Sequence, residues 1–165
     1  MKISLSHVKK IVKDLYSIEG TLSVLPGEID FNYKLRTSEG LSFVLKIAPS
    51  NCNIEYLEFQ QNILQYLNQQ STQKDLPKAV LNNIGNEISF FKDQNGDQRA
   101  VRLLSWVYGR VWSTVNPKTD YLRQSLGEKA GSLTKDLQNY EKDNMGKKTV
   151  IHGDPVMTNI LINDY

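Results

Sequence analysis

The chain has a single cysteine, Cys52, among its 165 residues. That excludes an internal disulfide framework and any zinc site built on several cysteines. It also has no excess of either charge. Twenty Lys+Arg against 18 Asp+Glu leave a formal net charge of +2. Such a balance carries no polyanion-binding signature, so no nucleic-acid partner is expected. No apolar run approaches the roughly 20 residues of a membrane span. The stretch Met1 to Lys10 alternates apolar and polar residues and has no signal-peptide core. No membrane partner is expected, and the expected setting is a reducing cytoplasm. Internal repeats and low-complexity blocks are missing too; the Gln-rich stretch Asn68 to Lys74 is a short polar loop. What is present is 39% hydrophobic residues, enough for a core in one ordinary domain or two small lobes.

The periodicity divides the chain into elements. Leu5, Val8, Ile11, Val12 and Leu15 recur at helical spacing behind the candidate caps Ser4 and Ser6. This predicts a helix packed on a sheet. Thr21 to Leu25, Phe31 to Thr37 and Leu41 to Ala48 read as strands. Their short connections, Pro26-Gly27 and Ser38-Glu39-Gly40, favour antiparallel hairpins. Asn53 to Asn68 is a second helix, capped by Asn53. A short extended stretch follows Leu76-Pro77. Ile88 to Lys92 and Arg99 to Val107 are strands joined through Asn95-Gly96. Beyond Gly109, Asp120 to Tyr140 is a long helix with Leu122, Leu126, Ala130, Leu133 and Leu137 on one stripe. Two apolar pieces, Val150-Ile151 and Ile160-Leu161-Ile162, enclose a polar loop. Runs of antiparallel strand with segregated helices make an α+β protein.

Four segments can carry chemistry. His152-Gly153-Asp154 with Asn159 has the spacing H-x-D-x-x-x-x-N, that of a phosphotransferase catalytic loop. An aspartate there can accept or orient the proton of an attacking hydroxyl, and an asparagine five residues on can meet a nucleotide's Mg²⁺. A histidine two before the aspartate can hydrogen-bond the loop into shape. The alternative is a surface turn in which Asp154 and Asn159 bond backbone. Lys46 interrupts the apolar strand Phe43-Val44-Leu45-Lys46-Ile47. It either reaches solvent or faces an anion, as a strand lysine does towards α- and β-phosphates. Glu55, Glu58 and Gln60 on the next helix are its candidate partners, and helical register does not choose among them. Gly27, between the first two strands, permits a tight turn and close backbone approach to a ligand; taken alone, the segment is an ordinary hairpin loop. Val101 to Arg110 is an apolar strand running into Gly109, either a nucleotide-facing linker or a plain β-to-α connection. Cys52 has no neighbouring histidine, and His7 lies on the first helix, so neither is a candidate catalyst.

In order, these segments resemble the aminoglycoside phosphotransferase-like branch of the protein-kinase fold, with hydroxylysine kinases and the kinase-like domain preceding some class III aminotransferases most similar. The resemblance rests on Leu25-Pro26-Gly27-Glu28 with Asp30 and Asn32, on Phe43 to Ile47, and on Val101 to Leu104 with Gly109. It continues through Leu126-Gly127 to Ile151-His152-Gly153-Asp154 with Asn159-Ile160-Leu161. It implies a bilobal fold: an antiparallel-sheet N-lobe over residues 1–107 and a truncated helical C-lobe over residues 108–165. It implies ATP or GTP with Mg²⁺ between the lobes. Gly27, Asn32 and Lys46 would meet the nucleotide, with Ser105 to Val107 the adenine-facing linker. Asp154 would be the catalytic base, His152 the loop organiser and Asn159 a Mg²⁺ ligand. The acceptor would be a small hydroxylated amine or amino acid, hydroxylysine first, then choline, homoserine or an aminoglycoside.

Three departures qualify the resemblance. No D-x-G aspartate follows the N-I-L segment, and Asp164 falls too close to Asn159 to replace it. Only Glu141 to Thr149 separates the long helix from the H-G-D loop, where such kinases have a longer helical segment. Pro155 and Val156 stand in a loop that is usually more polar. The expectation is therefore a kinase-like chain that is weakly active, or a catalytically dead remnant that binds a nucleotide or a protein.

Overall fold

A computed structural model of the chain describes residues 3–70, 76–144 and 161–162. The chain opens with α1 (Leu5–Tyr16) and the strands β1 (Thr21–Leu25), β2 (Phe31–Arg36) and β3 (Ser42–Ile47). Next come α2 (Ile54–Gln69), β4 (Ala79–Val80), β5 (Ile88–Lys92) and β6 (Gln98–Ser105). The strand β7 (Arg110–Val111), a 3₁₀ turn (Trp112–Thr114), α3 (Asp120–Asn144) and β8 (Leu161–Ile162) complete it. The chain forms two compact units. One is Met1–Asn62 with Pro77–Trp106, and the other is Ile63–Leu76 with Val107–Tyr165.

The first unit is an antiparallel sheet in the order β1-β2-β3-β6-β4, with β5 also paired to β6. Turn chemistry sets the hairpins. Gly40 (φ +87°) and Gly96 (φ +83°) occupy the left-handed region that side chains avoid. The Thr37 N–H donates to Leu41 O, and the Asp93 N–H to Asp97 O, closing the two turns. Strand alternation then sends Tyr33, Leu35, Leu45, Ile47, Val101 and Leu103 to one face. They pack with Val8, Ile11, Val12 and Tyr16 of α1 in one buried cluster. Each such fully buried aliphatic side chain contributes about 2 kcal/mol by leaving water.

Local signals place α1 as expected. Ser4 Oγ accepts the His7 N–H at the start, and Ser17, in the left-handed region, donates its N–H to Lys13 O at the end. At α2, Asn53 Oδ1 accepts the Tyr56 N–H at 3.1 Å. Leu57 of α2 packs with Ala48 and Ala100 in a smaller cluster.

The second unit holds α3 and the β7–β8 pair. Trp112, Val115, Leu137 and Tyr140 are buried, and Tyr66 meets Tyr140 edge-on at 5.0 Å between ring centroids. Of the expected leucine stripe on α3, only Leu137 is buried; Ala130 is exposed.

Several boundaries differ from the periodicity, and α3, expected to end at Tyr140, runs on to Asn144. The strand expected over Arg99 to Val107 runs from Gln98 to Ser105. Its pairing with β3 ends at Phe43↔Ser105, because β3 itself begins at Ser42. After Gly109 the chain re-enters a strand at once, as β7. Two residues are too few to show a period. Among the described residues no helix is long and apolar enough to cross a membrane.

Candidate functional site

The face of the sheet opposite α1 carries charged and polar side chains among apolar ones. Register aligns Asn32↔Lys46 across β2 and β3, and Lys46↔Arg102 across β3 and β6. A lysine and an arginine thus stand side by side, a pairing unfavourable without an intervening anion. Asp30 supplies it. Its Oδ2 lies 3.3 Å from Lys46 Nζ and 3.2 Å from Arg102 Nη2. Arg102 Nη1 donates to Gln60 Oε1 of α2 at 2.7 Å. Because Gln60 is neutral, Lys46, Arg102 and Asp30 leave one excess positive charge.

Burial is graded across the group. The side-chain exposures are 5% for Arg102, 13% for Asp30 and 30% for Lys46. Burial pulls the Arg102 pKa below its ordinary value, and the Asp30 carboxylate opposes that fall. Lys46 is the cation of the group that solvent reaches most.

The β1–β2 loop positions Asp30. Asn32 Nδ2 donates to Pro26 O at 3.0 Å and ties the loop to its own base. A Cβ on Gly27 would overlap Asn32 Nδ2 and the Asp30 carbonyl oxygen. Glycine is therefore required here for close approach. Asn32 Oδ1 is buried and has no hydrogen-bond partner. Such an atom is costly unless a donor reaches it.

The remaining expected residues divide into two groups. Ser105 ends β6; its Oγ accepts the Lys78 N–H and its own N–H donates to Lys78 O, both at 2.8 Å. The Trp106 N–H donates to Ser42 O at 3.1 Å, and Lys34 Nζ lies 3.8 Å from the centre of the Trp106 ring. Val107 is half-buried in the segment between β6 and β7. His152, Asp154 and Asn159 lie outside the described residues. Of the expected site, the structure therefore aligns Asn32 and Lys46, with Gly27 packed against Asn32 inside the loop. The ion partner of Lys46 is Asp30, not one of the three α2 candidates; Gln60 instead holds Arg102.

Sequence reasoning gave Arg102 and Asp30 no role of their own. Arg102 carried the same signal as Lys46, a charge inside an apolar strand. Asp30 gave no local signal, because the cations it meets are 16 and 72 positions away.

The residues present fit a polyphosphate. Two adjacent cations, Lys46 and Arg102, keep one surplus positive charge after Asp30 is counted, and an ammonium beside a guanidinium suits phosphate oxygens. Among the described residues, no group of three His, Cys, Asp or Glu side chains could hold a metal ion.

No curated protein matches the chain. Among solved structures, the chain resembles the amicoumacin kinase hAmiN in complex with AMP-PNP, Ca²⁺ and Ami. The TM-score is 0.71 with 22% identity over 84% of this chain. It also resembles a microcompartment-associated aminopropanol kinase, with a TM-score of 0.60 and 17% identity over 83% of this chain. The chain spans 41% and 40% of the lengths of those two proteins. These likenesses establish a kinase-like α+β fold. Residues 21–148 match the family described as the phosphotransferase enzyme family, APH. The chain belongs to that family.

Proposed function

We propose that the chain provides the nucleotide-binding part of a small-molecule kinase. The observation that carries this reading is the Asn32–Lys46–Arg102 row on the sheet face opposite α1, within the segment that matches the family. Lys46 binds the phosphates of ATP or GTP, and Gly27 lets the β1–β2 loop approach them. Ser105 to Val107 offers backbone groups to the purine. Asp154 accepts the acceptor's hydroxyl proton, His152 shapes its loop, and Asn159 holds Mg²⁺. The nucleotide supplies the phosphoryl group; the chain's residues orient it and neutralise its charge.

The acceptor is a small hydroxylated amine or amino acid, with hydroxylysine favoured. The two structural likenesses support a small acceptor: one protein is in complex with Ami, and the other is an aminopropanol kinase. The lobes correspond to residues 1–107 and 108–165. A reducing, cytoplasmic setting suits the free Cys52.

Calorimetric titration with Mg-ATP tests the reading. Wild-type chain should bind, and Lys46→Ala should weaken binding at least tenfold while remaining folded. Equal binding by the two proteins overturns the role of Lys46. Binding without turnover of any hydroxylated amine would favour the non-catalytic remnant.

A further inference from the structure

Asp30 is an anion placed where the proposed function puts another anion, and this inference rests on that reading. We propose that Asp30 is an internal competitor of the ligand's phosphates. Its carboxylate and a phosphate group take the same two cations in turn, and Arg102 is the second phosphate-binding cation of the site.

Four observations converge on this exchange. Both cations use the same oxygen, Asp30 Oδ2, at 3.3 and 3.2 Å. Those distances exceed the 2.6 Å of the dedicated Arg99–Asp93 pair, so one carboxylate spans two cations without fitting either closely. Asp30 precedes β2, which begins at Phe31, so its backbone as well as its side chain can shift without breaking a ladder hydrogen bond. Arg102 is held from its other side by the neutral Gln60. It therefore stays in place, and gains unbalanced charge, when Asp30 leaves.

The charges favour a phosphate as the replacement. With Asp30 seated, the group carries one excess positive charge; with Asp30 withdrawn, it carries two. A terminal phosphate matches that value, and its oxygens suit both a guanidinium and an ammonium. No bond is made or broken in the exchange. Its consequence is selectivity: a weak or singly charged anion cannot dislodge the carboxylate, whereas a polyphosphate can.

The test uses tripolyphosphate and Mg-ATP as separate probes in calorimetry on the full chain. Asp30→Asn retains an oxygen for Arg102 but removes the charge. It should bind tripolyphosphate on the order of tenfold more tightly than wild type, the scale of one charge-assisted contact. Unchanged or weaker binding overturns the proposal and shows Asp30 to be a fixed support for Lys46. Tighter tripolyphosphate binding without any Mg-ATP binding upholds the competition and removes the nucleotide reading. Failure of both proteins to bind either probe overturns both. A second measurement needs no substitution. In the wild-type chain, the Asp30 carboxyl ¹³C resonance should move towards its solvated position as tripolyphosphate is added. A stationary resonance at saturation overturns the exchange.

Discussion

Two buried arginines lie three residues apart on β6, and alternation sends them to opposite faces of the sheet. Arg99, on the α1 side, has an aspartate to itself. Its Nε donates to Asp93 Oδ2 at 2.6 Å, and Nη1 donates to Ala48 O at 3.4 Å. Asp93 also accepts the N–H groups of Asn95 and Asp97, so the pair is stitched into the β5–β6 hairpin. Arg102 shares its aspartate with Lys46 and leans on a neutral amide. The first pair is balanced and geometrically complete. The second retains one positive charge and a half-buried lysine. Completeness suits a device of stability, whereas the surplus is where the proposed function seats a ligand.

Substitutions can pull that contrast apart. The largest effect is expected on the α1 face, where Leu45 is fully buried. Leu45→Ala should lower unfolding free energy by about 2–5 kcal/mol in denaturant titration. The folded fraction should still bind tripolyphosphate as wild type does. Arg99→Met is expected next. It should lower the melting temperature and leave tripolyphosphate affinity unchanged; a loss of affinity would deny the separation of the two faces.

The same variant sharpens a pH effect. The hydrogen bond from Arg99, above all, holds the Asp93 pKa below its ordinary value. A carboxylate depressed in the folded state stabilises the fold above its unfolded pKa, about 4. That stabilisation is lost as pH falls through the lower, folded value. Wild type should therefore lose melting temperature below about pH 4, and Arg99→Met should show a flatter acid limb. The smallest effect is at the helix covering this face. Ser4→Ala removes a 3.3 Å cap bond and should cost about 0.5 kcal/mol, again without touching anion binding.

Much of the fold was legible because local chemistry and period agree. Ser4, Asn53, Gly40 and Gly96 mark ends and turns by their own conformational preferences, and β1 matches its expected span, Thr21–Leu25. The strands β4 and β7 are two residues each and have no period to read. Lys46 stood out as a charge in an apolar strand. Its partner did not, because a loop folded over Gly27, not helical spacing, delivers Asp30. Arg102 carried the same signal as Lys46, but only the cross-strand register Lys46↔Arg102 reveals that the two charges adjoin.

The seating of α1 has a consequence for the order of folding. Tyr16 donates its hydroxyl hydrogen to Val101 O and accepts from Ser89 Oγ, contacts 85 and 73 positions away. Asn83 donates from its backbone N–H to Leu15 O and from Nδ2 to Asp14 O, near the helix's C-terminal end. A 12-residue helix is marginal by itself in water. The helix therefore waits for β6, some eighty residues later in the chain, before its apolar side is fully covered. Contacts of such long sequence separation slow folding. In the interval, the side chains of Val8, Ile11 and Val12, buried in the finished core, stay open to water.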